Sequence, residues 1–234
     1  MIELKKLHAG YGHLKILKGI DFRVKPGQIV SIIGPNGAGK SALLKAIFNQ
    51  CDIYSGNIIF RRNDITTLPT YDLILEGISY SPQGRQIFPD MTVYENLEMG
   101  LYIFKDKEYK KRKIEEILKK FPLLKEKQSK LAYSLSGGQQ QILSIARSLL
   151  HEPTLFLLDE PSLGLDPKTQ KEIFEIIKRI NKEGITVIIV EQNAKQAAEI
   201  SDIIYVLEDG QIALKGDKSI LKDKRIKDVY FGGR

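Results

Sequence analysis

From Leu155 onward the chain alternates between two hydrophobic rhythms. Leu155-Phe156-Leu157-Leu158 is an unbroken apolar run of strand length, and similar runs follow at 185–190 and 203–207. Between them, residues from about 167 to 183 and from about 193 to 200 carry apolar positions at helical spacing. The first of these helices has clear end signals, with Asp166 as N-cap, Pro167 at the first helical position and Gly184 beyond its end. Strands that alternate with helices predict right-handed crossovers and a mostly parallel sheet covered on both faces.

The first half follows a different pattern. Residues 1–33 alternate short apolar runs with turns; Pro26-Gly27 marks a turn and Ile29–Ile33 a buried strand. A helix from Ser41 to about Asn49 would bury Leu43, Leu44 and Ile47, and Ser55–Phe60 with Ile65 predicts a small antiparallel pair. Residues 91–133 change character again, because Ile114, Ile117, Leu118 and Phe121 fall at helical spacing among lysines and glutamates. This stretch reads as a helical lobe inserted into an α/β core. A further helix should carry Ile142, Ile145, Ala146 and Leu149, Glu208-Asp209-Gly210 reads as a hairpin turn, and a lysine-rich tail helix precedes Phe231-Gly232-Gly233. The fold class is α/β in one domain, 1–234, with a core from 1–88 and 134–234, an antiparallel β region at the amino end, and an insert at 89–133.

Composition narrows this picture only a little. A chain of 234 residues buries a proper core. No apolar run approaches the roughly 18 residues that cross a bilayer, and the start lacks the pattern of a secretory signal. Cys51 is the only cysteine, so no internal disulfide forms, which suits a reducing cytosol. The net charge of +7 is concentrated in Lys105–Lys113, Lys125–Lys130 and Lys222–Lys227. Acidic residues are interspersed there, so solvated helix faces are favoured over lipid headgroups, and both over nucleic acid.

Three motifs carry the chemistry. Gly34-Pro35-Asn36-Gly37-Ala38-Gly39-Lys40-Ser41 matches Gly-x-x-x-x-Gly-Lys-Ser between a predicted strand and a predicted helix. Its glycines let backbone N–H groups converge on phosphate oxygens, Lys40 adds a point charge, and Ser41 offers a hydroxyl to Mg²⁺. Asp159-Glu160 ends an apolar strand expected to lie beside the loop's own strand. There Asp159 would hold the Mg²⁺ shell and Glu160 would orient and deprotonate the attacking water. Between them stands the pentapeptide Leu135-Ser136-Gly137-Gly138-Gln139.

In this order, with Tyr11, with Gln83 in Ser81-Pro82-Gln83-Gly84, and with Ser162-Leu163-Gly164-Leu165-Asp166, the chain resembles the ATP-binding subunit of ABC transporters along essentially its full length. The resemblance implies a P-loop NTPase core and an ATPase using ATP and Mg²⁺. Tyr11 would stack on adenine, although the residue alone also fits a partly exposed loop tyrosine. Gly34, Asn36, Gly37, Ala38, Gly39, Lys40, Ser41 and Ala42 would bind ATP. Ser41, Gln83 and Asp159 would hold Mg²⁺, and Glu160, Gln192 and Gln83 would be catalytic. Ser136, Gly137, Gly138 and Gln139 would face the ATP held by an opposing subunit, and Asp166 would contact that subunit. A helix N-terminus of small residues suits an anion, because N–H groups approach it closely.

One position departs from the family pattern. Where most members place a histidine after the strand Thr186–Val190, this chain reads Glu191-Gln192-Asn193. Gln192 donates a hydrogen bond but cannot become cationic. Losing one charge-stabilising donor typically costs about 100–1,000-fold in rate, and a substitute donor recovers part of it. Nucleotide binding is expected to survive and hydrolysis at this chain's own loop to be weakened. With Gly84–Phe88, Met91–Leu97 and the Tyr230-Phe231-Gly232-Gly233 ending, Glu191-Gln192-Asn193-Ala194 is similar to the second ATPase of branched-chain amino-acid importers, with urea and amide importers close by.

That likeness implies a peripheral subunit on the cytoplasmic face of the cell membrane, bound to two membrane-spanning permease subunits. It also implies pairing with a paralogous ATPase, a homodimer being the other arrangement, and indirect service to a periplasmic or extracellular solute-binding protein. An exporter ATPase for lipid or lipopolysaccharide shares every core motif and is the main alternative. A chromosome-organising ATPase would need coiled-coil heptads that are absent between Ser41 and Leu135, and a guanine-reading Asn-Lys-x-Asp fails at Gly184. No nucleic-acid partner is expected.

Overall fold

Two long strands open the chain, β1 (Ile2–Tyr11) and β2 (Leu14–Val24), paired antiparallel from Ile2↔Val24 to Tyr11↔Leu14. The computed structural model describes residues 1–224 and Ile226. After the Pro26-Gly27 turn come β3 (Ile29–Ile33), the glycine loop and α1 (Lys40–Ile47). Next, β4 (Asp52–Phe60) pairs with β1 and, through a hairpin, with β5 (Asn63–Asp64), completing a four-stranded antiparallel sheet ordered β2-β1-β4-β5. Ile65 continues that hairpin, its N–H donating to the Ile58 carbonyl at 2.9 Å.

The sequence pattern did not point to the next two elements, α2 (Thr70–Leu75) and β6 (Ile78–Ser81). Ser79 and Ser81 are buried in β6, so a strand enclosed on both faces there reads as half polar. Between β6 and β7 the chain is helical: α3 (Val93–Gly100), α4 (Lys107–Lys120), α5 (Pro122–Glu126) and α6 (Gly137–Leu149). Ile114, Ile117, Leu118 and Phe121 are all buried there, as their spacing requires. The alternation follows as expected, with β7 (Leu155–Asp159), α7 (Pro167–Lys182), β8 (Thr186–Val190), α8 (Ala194–Ile200), β9 (Ile203–Glu208) and β10 (Gln211–Gly216). Asp209 and Gly210 join the last two strands with φ of 45° and 80°, the two left-handed residues of a type I′ turn. Beyond a 3-10 stretch at Lys218–Lys222, the expected tail helix and the Tyr230–Gly233 ending lie outside the described residues.

The second sheet runs β10-β9-β3-β8-β7-β6, parallel throughout except for β10. This order corrects one expectation: β7 does not lie beside β3, because β8 sits between them and pairs in parallel with both. Strand neighbours depend on how crossovers wrap, which hydrophobic period does not encode. The core divides across this sheet. Leu155, Leu157, Ile188 and Val190 face α1 and the antiparallel sheet, whereas Phe156, Leu158, Val187 and Ile189 face α3–α7. Because β8 is covered on both faces, Ile188→Ala should cost about 2–5 kcal/mol in a urea unfolding titration. A loss below about 1 kcal/mol would contradict close packing at that position.

Candidate active site

All the strands that feed the site end at one edge of the parallel sheet. From β3 the chain enters the glycine loop, where Gly37 and Gly39 adopt left-handed φ of 83° and 100°. The Lys40 ammonium, on a residue only 5% exposed, spans the loop and donates to the carbonyls of Gly34 and Pro35, each at 3.0 Å. Gly34 packs so closely that a Cβ there would lie 2.1 Å from the Leu207 carbonyl oxygen. Ser41, one residue into α1, donates to Asp159 Oδ1 at 2.9 Å, and the Tyr80 hydroxyl donates to Oδ2 at 3.1 Å. The Ser41–Asp159 contact forms although β8 separates their strands, because α1 packs under the sheet against β7 and β8.

Glu160 follows, buried and held at a left-handed φ of 48°. Strain of that kind persists where the surroundings over-determine it. Here the Gln83 and Gln192 amides both donate to Glu160 Oε2, at 3.0 and 2.9 Å. The three side chains expected to be catalytic therefore meet on one oxygen atom. Tyr11, Asn36, Gly37, Gly39, Lys40, Ser41, Ala42, Gln83, Glu160 and Gln192 line one open cleft of about 490 Å³. Tyr11 is 43% exposed at its mouth, with the Lys45 ammonium 5.9 Å from its ring centre.

The sequence did not single out Glu191 or Tyr80. Glu191 accepts from the Ser162 N–H at 3.1 Å and from the Ser162 hydroxyl at 2.9 Å, fastening the loop after β7 to the end of β8. Its position after an apolar strand repeats the Leu158-Asp159 pattern, a signal that could have found it. Tyr80 had none. Burial pushes the Glu191 carboxyl up to about 7 against the Ser162 hydrogen bonds, and the Glu160 charge adds to the rise. Burial likewise raises Asp159, opposed by Ser41 and Tyr80, and the Tyr80 phenol is pushed up by burial and then by Asp159. Burial lowers Lys40, and the Glu160, Asp159 and Glu191 carboxylates oppose it.

This donor set fits a phosphate-bound Mg²⁺. The buried carboxyl groups of Asp159, Glu160 and Glu191 gather beside the Lys40 ammonium, with Lys45 also acting on Asp159, and a divalent cation would offset their charge. Among the described residues no cluster of three acidic, His or Cys side chains forms a cage. Mg²⁺ commonly uses one or two protein oxygens and fills its octahedron with phosphate and water.

Ser136, Gly137, Gly138, Gln139 and Asp166 do not line this cleft. Ser136 caps α6, accepting from the Gln139 N–H at 3.4 Å, while the Gln139 side chain accepts from the Ser136 N–H at 3.1 Å and from Lys127 at 3.0 Å. Asp166 caps α7, accepting from the Lys168 and Thr169 N–H groups. A Cβ on Gly137 would lie 2.5 Å from Arg85, and one on Gly138 would lie 2.3 Å from Thr169. Arg85 also donates to the Gly164 carbonyl at 3.2 Å, so the pentapeptide, the Gln83 loop and the 162–166 loop pack as one surface.

A family model described as ABC transporter matches residues 17–163. The high-affinity branched-chain amino acid transport ATP-binding protein BraG of Pseudomonas aeruginosa is 41% identical, covering 100% of both chains. The probable branched-chain amino acid transport ATP-binding protein LivF of Archaeoglobus fulgidus is 37% identical over 99% of each. The lipopolysaccharide export ATP-binding protein LptB of Haemophilus influenzae is 31% identical, covering 99% of this chain and 97% of its own. A nucleotide-free ATP-binding cassette from an ABC transporter superimposes with TM-score 0.90 at 30% identity, covering 99% of each chain. The cassette MJ0796, solved as a post-hydrolysis dimer bound to ADP and Pi, gives TM-score 0.81 at 28% identity, covering 93% of this chain and 99% of its own.

Glu191 makes stability depend on pH in a defined window. Between its ordinary value of 4.5 and about 7, the native chain keeps a proton that the unfolded chain releases. Stability from this group therefore falls as pH rises through the window and then levels off. From about pH 5 to about pH 8, nucleotide-free protein should lose about 1–3 kcal/mol relative to Glu191→Gln in urea unfolding. A pH-independent difference between the two would refute the raised value.

Proposed function

The chain belongs to the ABC transporter family of ATP-binding proteins, and we propose that it binds and hydrolyses ATP to power solute import, with branched-chain amino acids as the transported class. The observation that carries the ATPase reading is the meeting of Gln83 and Gln192 on Glu160, beside Lys40 and the Ser41–Asp159 pair. The higher identity to BraG and LivF than to LptB favours import over lipopolysaccharide export.

In this reading Tyr11 receives the adenine, and Asn36–Ala42 with Gly34 form the phosphate cradle. Lys40 exchanges the Gly34 and Pro35 carbonyls for phosphate oxygens, so its cradle is held open before substrate arrives. Ser41, Asp159 and Gln83 would hold Mg²⁺, which would offset charge on the phosphates. Glu160 accepts the proton of the attacking water, and the two glutamine amides that hold its carboxylate orient it. The start of α6 at Gly137 and Gly138 would meet phosphate on another subunit, while the Ser136 N–H is held by the Gln139 side chain. Gln139 supports that turn, and Asp166 sits on the same surface.

A second ATP-binding subunit, a paralogue or a second copy, then completes each site; the similar MJ0796 cassette was solved as a dimer. No helix among the described residues is long and apolar enough to cross a membrane. Attachment to two permease subunits at the cytoplasmic face, with a solute-binding protein acting through them, fits that fact and the family. The helical insert at 89–133, between β6 and the pentapeptide, is the segment we assign as a lobe of its own.

Co-purification from native membranes with two permease chains and a second, histidine-bearing ATPase, and stimulation of ATPase activity by leucine plus a binding protein, would support this reading. Isolation as a free soluble protein would sink it. Glu160→Gln should trap an ATP-bound dimer visible by light scattering; a chain that stays monomeric in ATP, alone and with its paralogue, would defeat the composite site. Gln192→His should leave ATP affinity within about twofold and raise single-turnover hydrolysis roughly tenfold. An unchanged rate would make Gln192 a competent replacement.

A further inference from the structure

At the opposite edge of the parallel sheet lies a second cleft, of about 670 Å³. The nucleotide cleft sits where β3, β7 and β8 end, whereas this one sits where they begin, at Pro26, Thr154, Gly184 and Thr186. Its other wall is the antiparallel sheet, from which Arg23, Arg61 and Arg62 line it with one carboxylate, Glu3. Glu3 stands across from Arg23 in the β1–β2 register, yet its ion pair is with Lys5, at 3.8 Å. Among the described residues none of the three arginines forms an ion pair. The Arg61 guanidinium lies over the Phe60 ring at 5.2 Å.

The backbone supplies a second, independent observation. Arg61 and Arg62 are the two central residues of the β4–β5 hairpin, between the paired Phe60 and Asn63, and their φ values are 50° and 75°. That is a type I′ turn, for which Asn-Gly or Asp-Gly is the relaxed choice. The same chain uses Asp209-Gly210 at its other such turn. Two long cationic side chains at left-handed positions are strained, and strain of this kind is retained where a function needs the side chains. All three side chains are exposed and without carboxylate partners, and their planar forks of N–H donors match phosphate oxygens.

We propose that this cleft binds a phosphate-bearing anion through Arg23, Arg61 and Arg62, the phosphate coming from a free small molecule or from a lipid headgroup. The site is separate from the nucleotide cleft and does not rest on the transport reading.

The test uses the full chain carrying Lys40→Ala, which disables the phosphate loop. It is titrated with inorganic pyrophosphate by calorimetry, and floated with phosphatidylcholine vesicles containing phosphatidic acid. R61N/R62G installs the relaxed turn, so its melting temperature should match or exceed that of the parent while the site is lost. Pyrophosphate binding that weakens at least tenfold in R61N/R62G and in Arg23→Gln supports the site and assigns a free phosphate compound. Flotation that depends on the same arginines, without pyrophosphate binding, supports it and assigns a lipid headgroup. If neither probe binds, or if binding persists unchanged in the stable R61N/R62G chain, the proposal is overturned.

Discussion

Removing the carboxyl groups of Asp159, Glu160 and Glu191 from water is uphill unless their oxygens find donors. Much of the local structure at the carboxyl edge of the parallel sheet answers that requirement. Asp159 takes hydrogen bonds from Ser41 and Tyr80, Glu160 from Gln83 and Gln192, and Glu191 from the backbone and hydroxyl of Ser162. Those donors come from α1, β6 and the loops after β6, β7 and β8. Neutralising the carboxylates thus ties together segments far apart in the chain, and the same ties place the chemistry.

The sheet makes this convergence possible. Parallel strands bring their carboxyl ends to one edge, so the glycine loop, the Asp-Glu pair and the Glu-Gln pair become neighbours without any long excursion. Burial on both faces holds β7 and β8 in register, with alternate residues in two separate halves of the core. The amino ends of the same strands form the other edge, where arginines rather than carboxylates gather. One sheet thus presents a separate cleft at each edge.

The pentapeptide shows how one short segment serves local stability and an outward surface at once. Ser136 and Gln139 close a reciprocal cap on α6, while the Arg85 guanidinium and the Thr169 methyl occupy the space that side chains on Gly137 and Gly138 would take. Asp166 caps α7 and also accepts from the Thr169 hydroxyl, and the Thr169 methyl packs against Gly138 of the pentapeptide.

Local rules were enough to recognise most of this protein. Hydrophobic period, Asp166-Pro167, Gly184 and Asp209-Gly210 determined most of the helices, strands and turns, because those signals act within a few residues. The glycine loop, Asp159-Glu160 and Leu135–Gln139 marked the chemistry, because phosphate binding demands those residue types at fixed spacing. Only the tertiary structure placed β8 between β3 and β7, buried the polar strand at Ile78–Ser81, and joined Tyr80 to Asp159 and Glu191 to Ser162. It alone brought Gln83 and Gln192 onto one oxygen of Glu160, and Arg23 beside the Arg61-Arg62 turn. Those facts depend on which strands pair and which loops meet, and such choices are made by long-range packing that no local period records.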